Sequence, residues 1–316
     1  MSDALIHTVV LMGTVVSVHV VGHGASQGAR RERQRGVDRA LAWFRRVEAV
    51  CSRFDATSEL RQLSTHIGTP VPVSPMLFQA VQFAVAVAAD TNGAFDPTVG
   101  VRMESRGFNR DYRTGADVRS DVSVTGAVSY RDVEVDAAAQ TITLHQPLLL
   151  DLGAVAKGLA VDMAALELMP FANFAIDAGG DLYLGGRNAD DAMWSVGIRH
   201  PRDATQLLDT LHVTDTAVCT SGDYERVAPA VAASMDSADD ADVAKVSHDH
   251  HIINPATGSA TQHVASATVI ALSAMVADAL ATAAFVLGPV DGIALLERHN
   301  VHGVLVTPAL ERFATS

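Results

Sequence analysis

Two hydrophobic periods alternate along the chain. Residues 6–22 are rich in β-branched positions, broken by His7 and His19, and predict a strand or a pair of strands around Met12-Gly13-Thr14. Val37, Leu41, Phe44 and Val47 then recur at helical spacing, which predicts a helix over roughly 28–50 with its arginines facing solvent. The next helix carries its own punctuation. Ser74 suits the N-cap, Pro75 the first helical position and Gly93 the stop, with FQAVQFAVAVAAD between them. In the loop GAFDPTVG that follows, Pro97 keeps Asp96 out of helical conformation. The charged stretch 101–120 reads as surface.

Short strands are predicted near 131–135 and 141–145. The apolar run PLLL reads as a strand entering Asp151, Gly153 and the helix AVAKGLAVDMAALEL. Three further strand patterns follow: NFAIDA ending in Gly179-Gly180-Asp181, WSVGIRHP, and residues 207–219 leading into CTSGDYERV. Past HHIINPATG come the strand ASATVIAL and an apolar helix over 274–287 that stops at Gly288-Pro289. A helix over 290–300 and a strand over 303–307 close the chain. Helices and strands mix without strict βα alternation, so the pattern predicts a mixed α/β chain with no internal repeat. It is read as one domain, 1–316, in which the Ala-, Ser- and Asp-rich stretch 228–247 is a flexible insertion.

Composition narrows the partners. Hydrophobic residues make up 48% and charged ones 19%, enough apolar surface for a sizeable core. The net charge of −13 argues against a nucleic-acid partner, though a metal ion can still bring a phosphorylated small ligand to an acidic protein. Cys51 and Cys219 stand far apart, in no metal-ligand spacing, and read as free thiols in a reducing compartment. Asp3 comes early, with no cationic segment before the apolar stretch and no lipobox cysteine, so the start reads as a strand rather than a signal peptide. No run of about 18 uncharged apolar residues occurs, so no membrane span is predicted and the compartment is read as cytoplasmic.

Asp278 is the residue that the pattern explains least. Its helix is apolar at nearly every position, and an isolated carboxylate is costly to bury. Thr282 follows one turn later on the same face. The pair offers hard oxygen ligands to a small cation such as Mg²⁺, or Asp278 simply bonds a backbone or hydroxyl group. In DLGAVAKG, a helix N-terminus with Lys157 in its first turn suits a diphosphate; it is equally a tight turn with a surface lysine. Gly179-Gly180 permits close ligand approach or makes a hairpin. Asp96 binds a ribose, a base edge or a cation, or caps its turn. His248, His250 and His251 lack acidic or cysteine partners at zinc spacing. His251 is either a general base at a loop edge or an exposed histidine.

Taken in order, MGT, CSRFDATSEL, GAFDPTVG, DLGAVAKGLAVD, DAGGDLYLGG, TSGDYERV, HHIINPATG and SATVIALSAMVADALATAAFVLG resemble the ApbE family of FAD:protein FMN transferases. The matching segments span about 11–288. The resemblance implies an α+β fold of the ApbE type, with largely antiparallel sheets and packed helices forming two lobes around a flavin cleft. It implies FAD as substrate with Mg²⁺ at its diphosphate, transfer of FMN to a Thr or Ser hydroxyl of an acceptor protein, and release of AMP. Ala154, through its carbonyl, would hold the metal beside Asp278 and Thr282. Met12, Phe54, Ala94, Phe95, Asp96, Asp151, Lys157 and Ile253 would contact FAD, and His251 would be the base on the acceptor hydroxyl.

Asn254 replaces the family's usual aspartate, and Phe54 stands where tyrosine is common. Many members are exported lipoproteins, and the lack of that signal here points to a cytoplasmic acceptor. Two rivals share the same residues: an Mg²⁺-dependent FAD diphosphatase giving FMN and AMP, and a flavin-binding protein without catalysis.

Overall fold

The computed structural model describes residues 3–22, 26–225 and 250–316. The expected insertion at 228–247 and His248 lie outside the described residues. The opening β-rich segment is a hairpin: β1 (Asp3–Leu11) and β2 (Thr14–Gly22) pair antiparallel over nine residues each. Met12 and Gly13 make its two-residue turn with φ of 52° and 75°. Both signs are positive, as a turn matching the twist of a hairpin requires.

Ser26 caps α1 (Gln27–Cys51), and its apolar stripe Val37, Leu41, Phe44 and Val47 is buried. One of its arginines departs from the expected solvent face. Arg33 is 5% exposed, because its guanidinium lies over Gly22 at the end of β2. A short α2 (Glu59–Leu63) precedes β3 (Val71–Pro72). Ser74 and Pro75 start α3 (Pro75–Asp90) as its sequence predicts. The stretch after it is not plain surface. It contains α4 (Gly100–Ser105), and its Met103, Asn109 and Asp111 are buried. These residues turn inward because their segment walls the cleft described below.

After β4 (Val133–Asp136) and β5 (Thr141–Leu144), the three leucines of the run PLLL are buried, its Pro147 is exposed, and the run belongs to no strand. Its backbone makes isolated bonds rather than a ladder: Gly100 N–H donates to Leu149 O at 3.1 Å, and Asp151 N–H donates to Pro97 O at 2.7 Å. The strand pattern there reflects burial alone, because a short apolar run does not reveal its backbone partners. These two bonds tie GAFDPTVG to the start of α5 (Gly153–Leu168).

Then follow β6 (Phe174–Ala178), β7 (Asp181–Gly185), β8 (Trp194–Arg199), β9 (Leu207–Val213) and β10 (Thr216–Gly222). Gly179 and Gly180 form the β6–β7 hairpin turn. β11 (Ser266–Ala271), α6 (Ala274–Leu287), α7 (Pro289–Arg298), β12 (His302–Val306) and a short β13 (Arg312–Ala314) complete the order.

The main sheet runs β1-β2-β6-β7-β10-β11-β12-β13, antiparallel at every pairing. Smaller sheets are β3-β5-β4 and β8-β9. The fold is thus α+β, with mixed helices and antiparallel sheets. Helices α1, α5, α6 and α7 contact one another in that sequence and touch the strands in matching order. On the far side α3 packs on α1, α5 and α6 and touches β4. Helices α5 and α6 are therefore enclosed by sheet, helices or both, which is why they read as apolar all round. Among the described residues no helix is long and apolar enough to cross a membrane.

Candidate active site

Two adjoining cavities open where α5 begins. One, of about 560 Å³, is bounded by the β1–β2 turn, the end of α1 and residues 107–117. The other, of about 520 Å³, reaches past the start of α5 to β10, the 251–255 loop and α6. They share Gly13, Arg53, Phe54, Phe108, Asp151, Gly153 and Lys157 along their common border. Each falls in the size range that holds a small organic ligand. Met12 lines the first cavity, Phe54, Asp151 and Lys157 line both, and Ala94, Phe95, Asp96, Ala154, His251, Ile253, Asp278 and Thr282 line the second. The residues expected to hold the metal, contact the flavin and act as base therefore line two adjoining cavities with a common border, whereas Gly180 and His250 line neither.

The electrostatic centre is the crossing of α5 and α6. Gly158 lets the helices touch there: a Cβ on it would lie 2.5 Å from the Ala274 carbonyl oxygen. One turn further along α5, Asp162 accepts hydrogen bonds from Ser273 Oγ (2.6 Å), Ala274 N–H (2.7 Å) and Met275 N–H (3.0 Å), holding the first turn of α6. This crossing puts Asp278 against Lys157, whose Nζ lies 3.3 Å from Asp278 Oδ2. The same ammonium pairs with Asp181 at the start of β7.

Asp181 and Asp278 are 1% and 4% exposed, while the Lys157 side chain, 22% exposed, reaches the cleft. Burial would lower the lysine pKa, but the two carboxylates outweigh it and hold Lys157 above its ordinary range. Asp278 moves up as well, first through burial and then through the charge of Asp181; Lys157 and the Gly158 N–H pull against that rise. Two carboxylates thus share one ammonium in an enclosed place, and the second of them is pushed toward its neutral form.

The donors beside Asp278 are hard oxygens. Thr282 lies one turn on, and its hydroxyl is 3.1 Å from Ser221 Oγ. Ala154 has φ −93° and ψ 16° inside α5, so its carbonyl tilts away from the helical direction. Carboxylate, hydroxyl and displaced carbonyl fit a small hard cation. Among the described residues no group of three His, Cys, Asp or Glu side chains suited to a metal occurs, so Asp278 has only the hydroxyl and the carbonyl as candidate co-ligands.

Other expectations change in detail. The start of α5 is not a row of free donors. Gly153 N–H bonds Asp151 Oδ1 at 2.7 Å, and Val155 and Ala156 N–H both bond Leu152 O. Asp96 caps its turn: one oxygen takes Thr98 N–H and Oγ1, the other Tyr130 N–H. It lines the cleft with its carboxylate already bonded. His250 and His251 differ sharply. His250 is buried; Nε2 donates to Thr261 O (2.7 Å), and Nδ1 accepts from Ile252 N–H (3.2 Å). Burial lowers its pKa, so it is a neutral pin for the loop. His251 faces the second cavity, its ring edge-on to Phe108 at 6.4 Å between centroids.

Asn254 Oδ1 accepts from Ala256 N–H at 2.9 Å, which an aspartate oxygen would also do. Arg102 bonds Pro255 O and Arg106 bonds Gly258 O, anchoring this loop to α4. Asp181, Arg53, Asp162 and Ser221 lie outside the sequence reading of the site. All four sit inside the matching motifs, and for Asp181 and Ser221 an acid or hydroxyl at a strand end is the only local signal. Asp162 looks like an ordinary polar helix position until α6 is placed beside it.

An enclosed charge cluster, hard oxygen donors and a histidine in one cleft define an enzyme rather than a scaffold. The chain belongs to the ApbE family, whose model matches residues 12–305. It is 29% identical to the FAD:protein FMN transferase of Vibrio cholerae, over 89% of this chain and 80% of the relative. It is 30% identical to that of Treponema pallidum, over 94% and 83%. Its fold superposes on the ApbE protein of Thermotoga maritima with a TM-score of 0.80 at 27% identity, covering 99% of this chain and 97% of the other. On the flavin transferase ApbE of Vibrio cholerae the TM-score is 0.79 at 25% identity, covering 100% and 98%.

Proposed function

We propose that this chain transfers the FMN half of FAD to a Thr or Ser hydroxyl of an acceptor protein and releases AMP. The observation that carries the reading is the cleft itself. Its paired cavities meet at Lys157, with Asp278, Thr282, Ala154 and His251 on the walls of one of them. Asp278, Thr282 and the Ala154 carbonyl would hold Mg²⁺, which when bound neutralises diphosphate charge and supports a phosphate leaving group. The protein's own groups supply the rest. Phe54 gives a ring to stack on, and Lys157 a cation at the border of the two cavities. His251 takes the proton of the acceptor hydroxyl; its place on a loop anchored by His250, Arg102 and Arg106 fixes its approach. The acceptor belongs to the same compartment as the chain, which we take to be the cytoplasm.

The test is incubation with FAD, Mg²⁺ and candidate acceptors, followed by denaturing electrophoresis. Flavin fluorescence that migrates with an acceptor, with one AMP released per label, is the expected result. AMP and free FMN with no labelled protein would replace transfer by diphosphate hydrolysis. FAD binding without AMP would leave a binding protein.

A further inference from the structure

Arg53 stands on the border between the two cavities and lines both, yet its side chain is only 5% exposed. A guanidinium is a planar fork of five donors. Here Nε–H donates to Asp151 Oδ2 at 2.6 Å, and Nη2–H donates to the Phe108 carbonyl. Its central carbon lies 4.1 Å from the centre of the Phe54 ring. The three partners belong to three separate segments: the link after α1, the loop after α4 and the start of α5. Two neighbours strengthen the clamp. Arg61 Nη1–H donates to Arg53 O at 2.8 Å, and Asp151 also takes the Gly153 N–H at 2.7 Å.

The consequence concerns Phe54. With a guanidinium over one face, its ring has one face left for a ligand. Phe108, tied to the same guanidinium, meets the ring of His251 edge-on. One buried side chain therefore sets the stacking wall, the acid at the start of α5 and the loop beside the proposed base relative to one another.

We propose that Arg53 is a positioning residue for the dinucleotide. It is the back layer of a stack in which Phe54 is the middle and a planar ring of the ligand the front. Its fork to Asp151 and Phe108 holds that stack at a fixed distance from Lys157. This rests on the reading of the cleft as an FAD site. Lysine cannot replace it, because an ammonium has neither the plane nor the fork.

The test compares wild type, Arg53→Lys and Arg53→Ala. FAD affinity is titrated by flavin fluorescence in EDTA, so that no metal contributes, and KM and kcat are measured with Mg²⁺ present. Both variants are expected to weaken FAD binding by about 10-fold or more and to raise KM by a similar factor, with a smaller change in kcat. Guanidinium ion at millimolar concentration, far below denaturing levels, is expected to restore binding to Arg53→Ala but not to Arg53→Lys. A residue that merely supports the fold would instead reduce the active fraction, lowering kcat at unchanged KM with no rescue. Should Arg53→Ala fail to fold, Arg53→Lys carries the comparison. Wild-type affinity in Arg53→Lys overturns the proposal and leaves the FAD reading intact. Failure of wild type to bind FAD overturns both.

Discussion

Gly158→Ala isolates the helix crossing on which the site depends. The added Cβ would lie 2.5 Å from both Ala274 O and Met275 Cα, and 2.6 Å from the Ala274 carbonyl carbon. Comfortable contact begins near 3.5 Å, so α5 and α6 must part by about 1 Å. The opposing atoms are backbone, and Asp162 holds them in place, so no side chain can swing aside. Overpacking of this kind costs about 1–3 kcal/mol, and alanine in a helix interior returns about 1 kcal/mol relative to glycine. The net loss of stability is therefore small, about 0–2 kcal/mol.

The catalytic loss is not small. The same separation moves Asp278 and Thr282 away from Ala154 and Lys157, and a misplacement of about 1 Å can lower turnover about 100-fold. Urea unfolding and FAD turnover at saturating Mg²⁺ measure the two effects on the same preparation. Gly28→Ala is the control: it lies in α1 with nothing within 4 Å of its Cβ position, so it should keep full activity and lose no stability. Turnover of Gly158→Ala within about threefold of wild type would refute the claim that helix spacing sets the site.

Asp278→Asn should abolish Mg²⁺-dependent turnover and the rise in Tm that Mg²⁺ gives wild type, a rise equivalent to about 2.7 kcal/mol at a hundredfold excess over Kd; a surviving rise in scanning fluorimetry would remove the metal assignment. His251→Ala should slow transfer more than it weakens FAD binding, and equal losses in both assays would make His251 a binding residue. His250 is held neutral, with its folded pKa below the usual 6.5, so its contribution to stability is complete above that value and is lost as pH falls below it. Urea midpoints should therefore drop less between pH 7 and pH 5 in His250→Gln than in wild type; parallel pH profiles would show that His250 is not the group responsible. Asp162→Ala removes three hydrogen bonds at the start of α6 and should cost about 1–2 kcal/mol together with turnover, and an unchanged midpoint would show that α6 is held elsewhere.

Local signals were legible where local chemistry decides. Ser74 with Pro75 starts α3, and Gly288-Pro289 ends α6, because caps and turns are contracts between neighbouring residues. Burial was legible too, but not what lies across from it. PLLL is as apolar as a strand and pairs with two backbone groups of the 97–100 segment instead. Arg33 shares its sequence character with the exposed arginines of α1, yet it is buried with its guanidinium against Gly22 at the end of β2. Residues 101–120 look like surface by charge, yet Asn109 and Asp111 turn inward. In each case the deciding contact lies outside the window in which a period can be counted.

The site divides the same way, and the division explains why motifs located it while the pairings stayed hidden. Asp278 was conspicuous because its helix offers no local reason for a charge. Its actual neighbours, Lys157 and Asp181, come from α5 and the start of β7 and meet it only after the sheet and helices are assembled. Once they meet, the arithmetic of charge is simple. Two enclosed carboxylates against one ammonium are one negative charge too many for a buried place, so burial and the charge of Asp181 push the Asp278 carboxyl up toward its neutral form. Lys157 pairs with both carboxylates and so offsets much of their mutual repulsion. Asp181 is deeper than Asp278 and does not line either cavity. Its carboxylate pairs with the lysine from the core side. The acid that the sequence placed only at the end of a turn is thus the one that anchors the lysine facing Asp278.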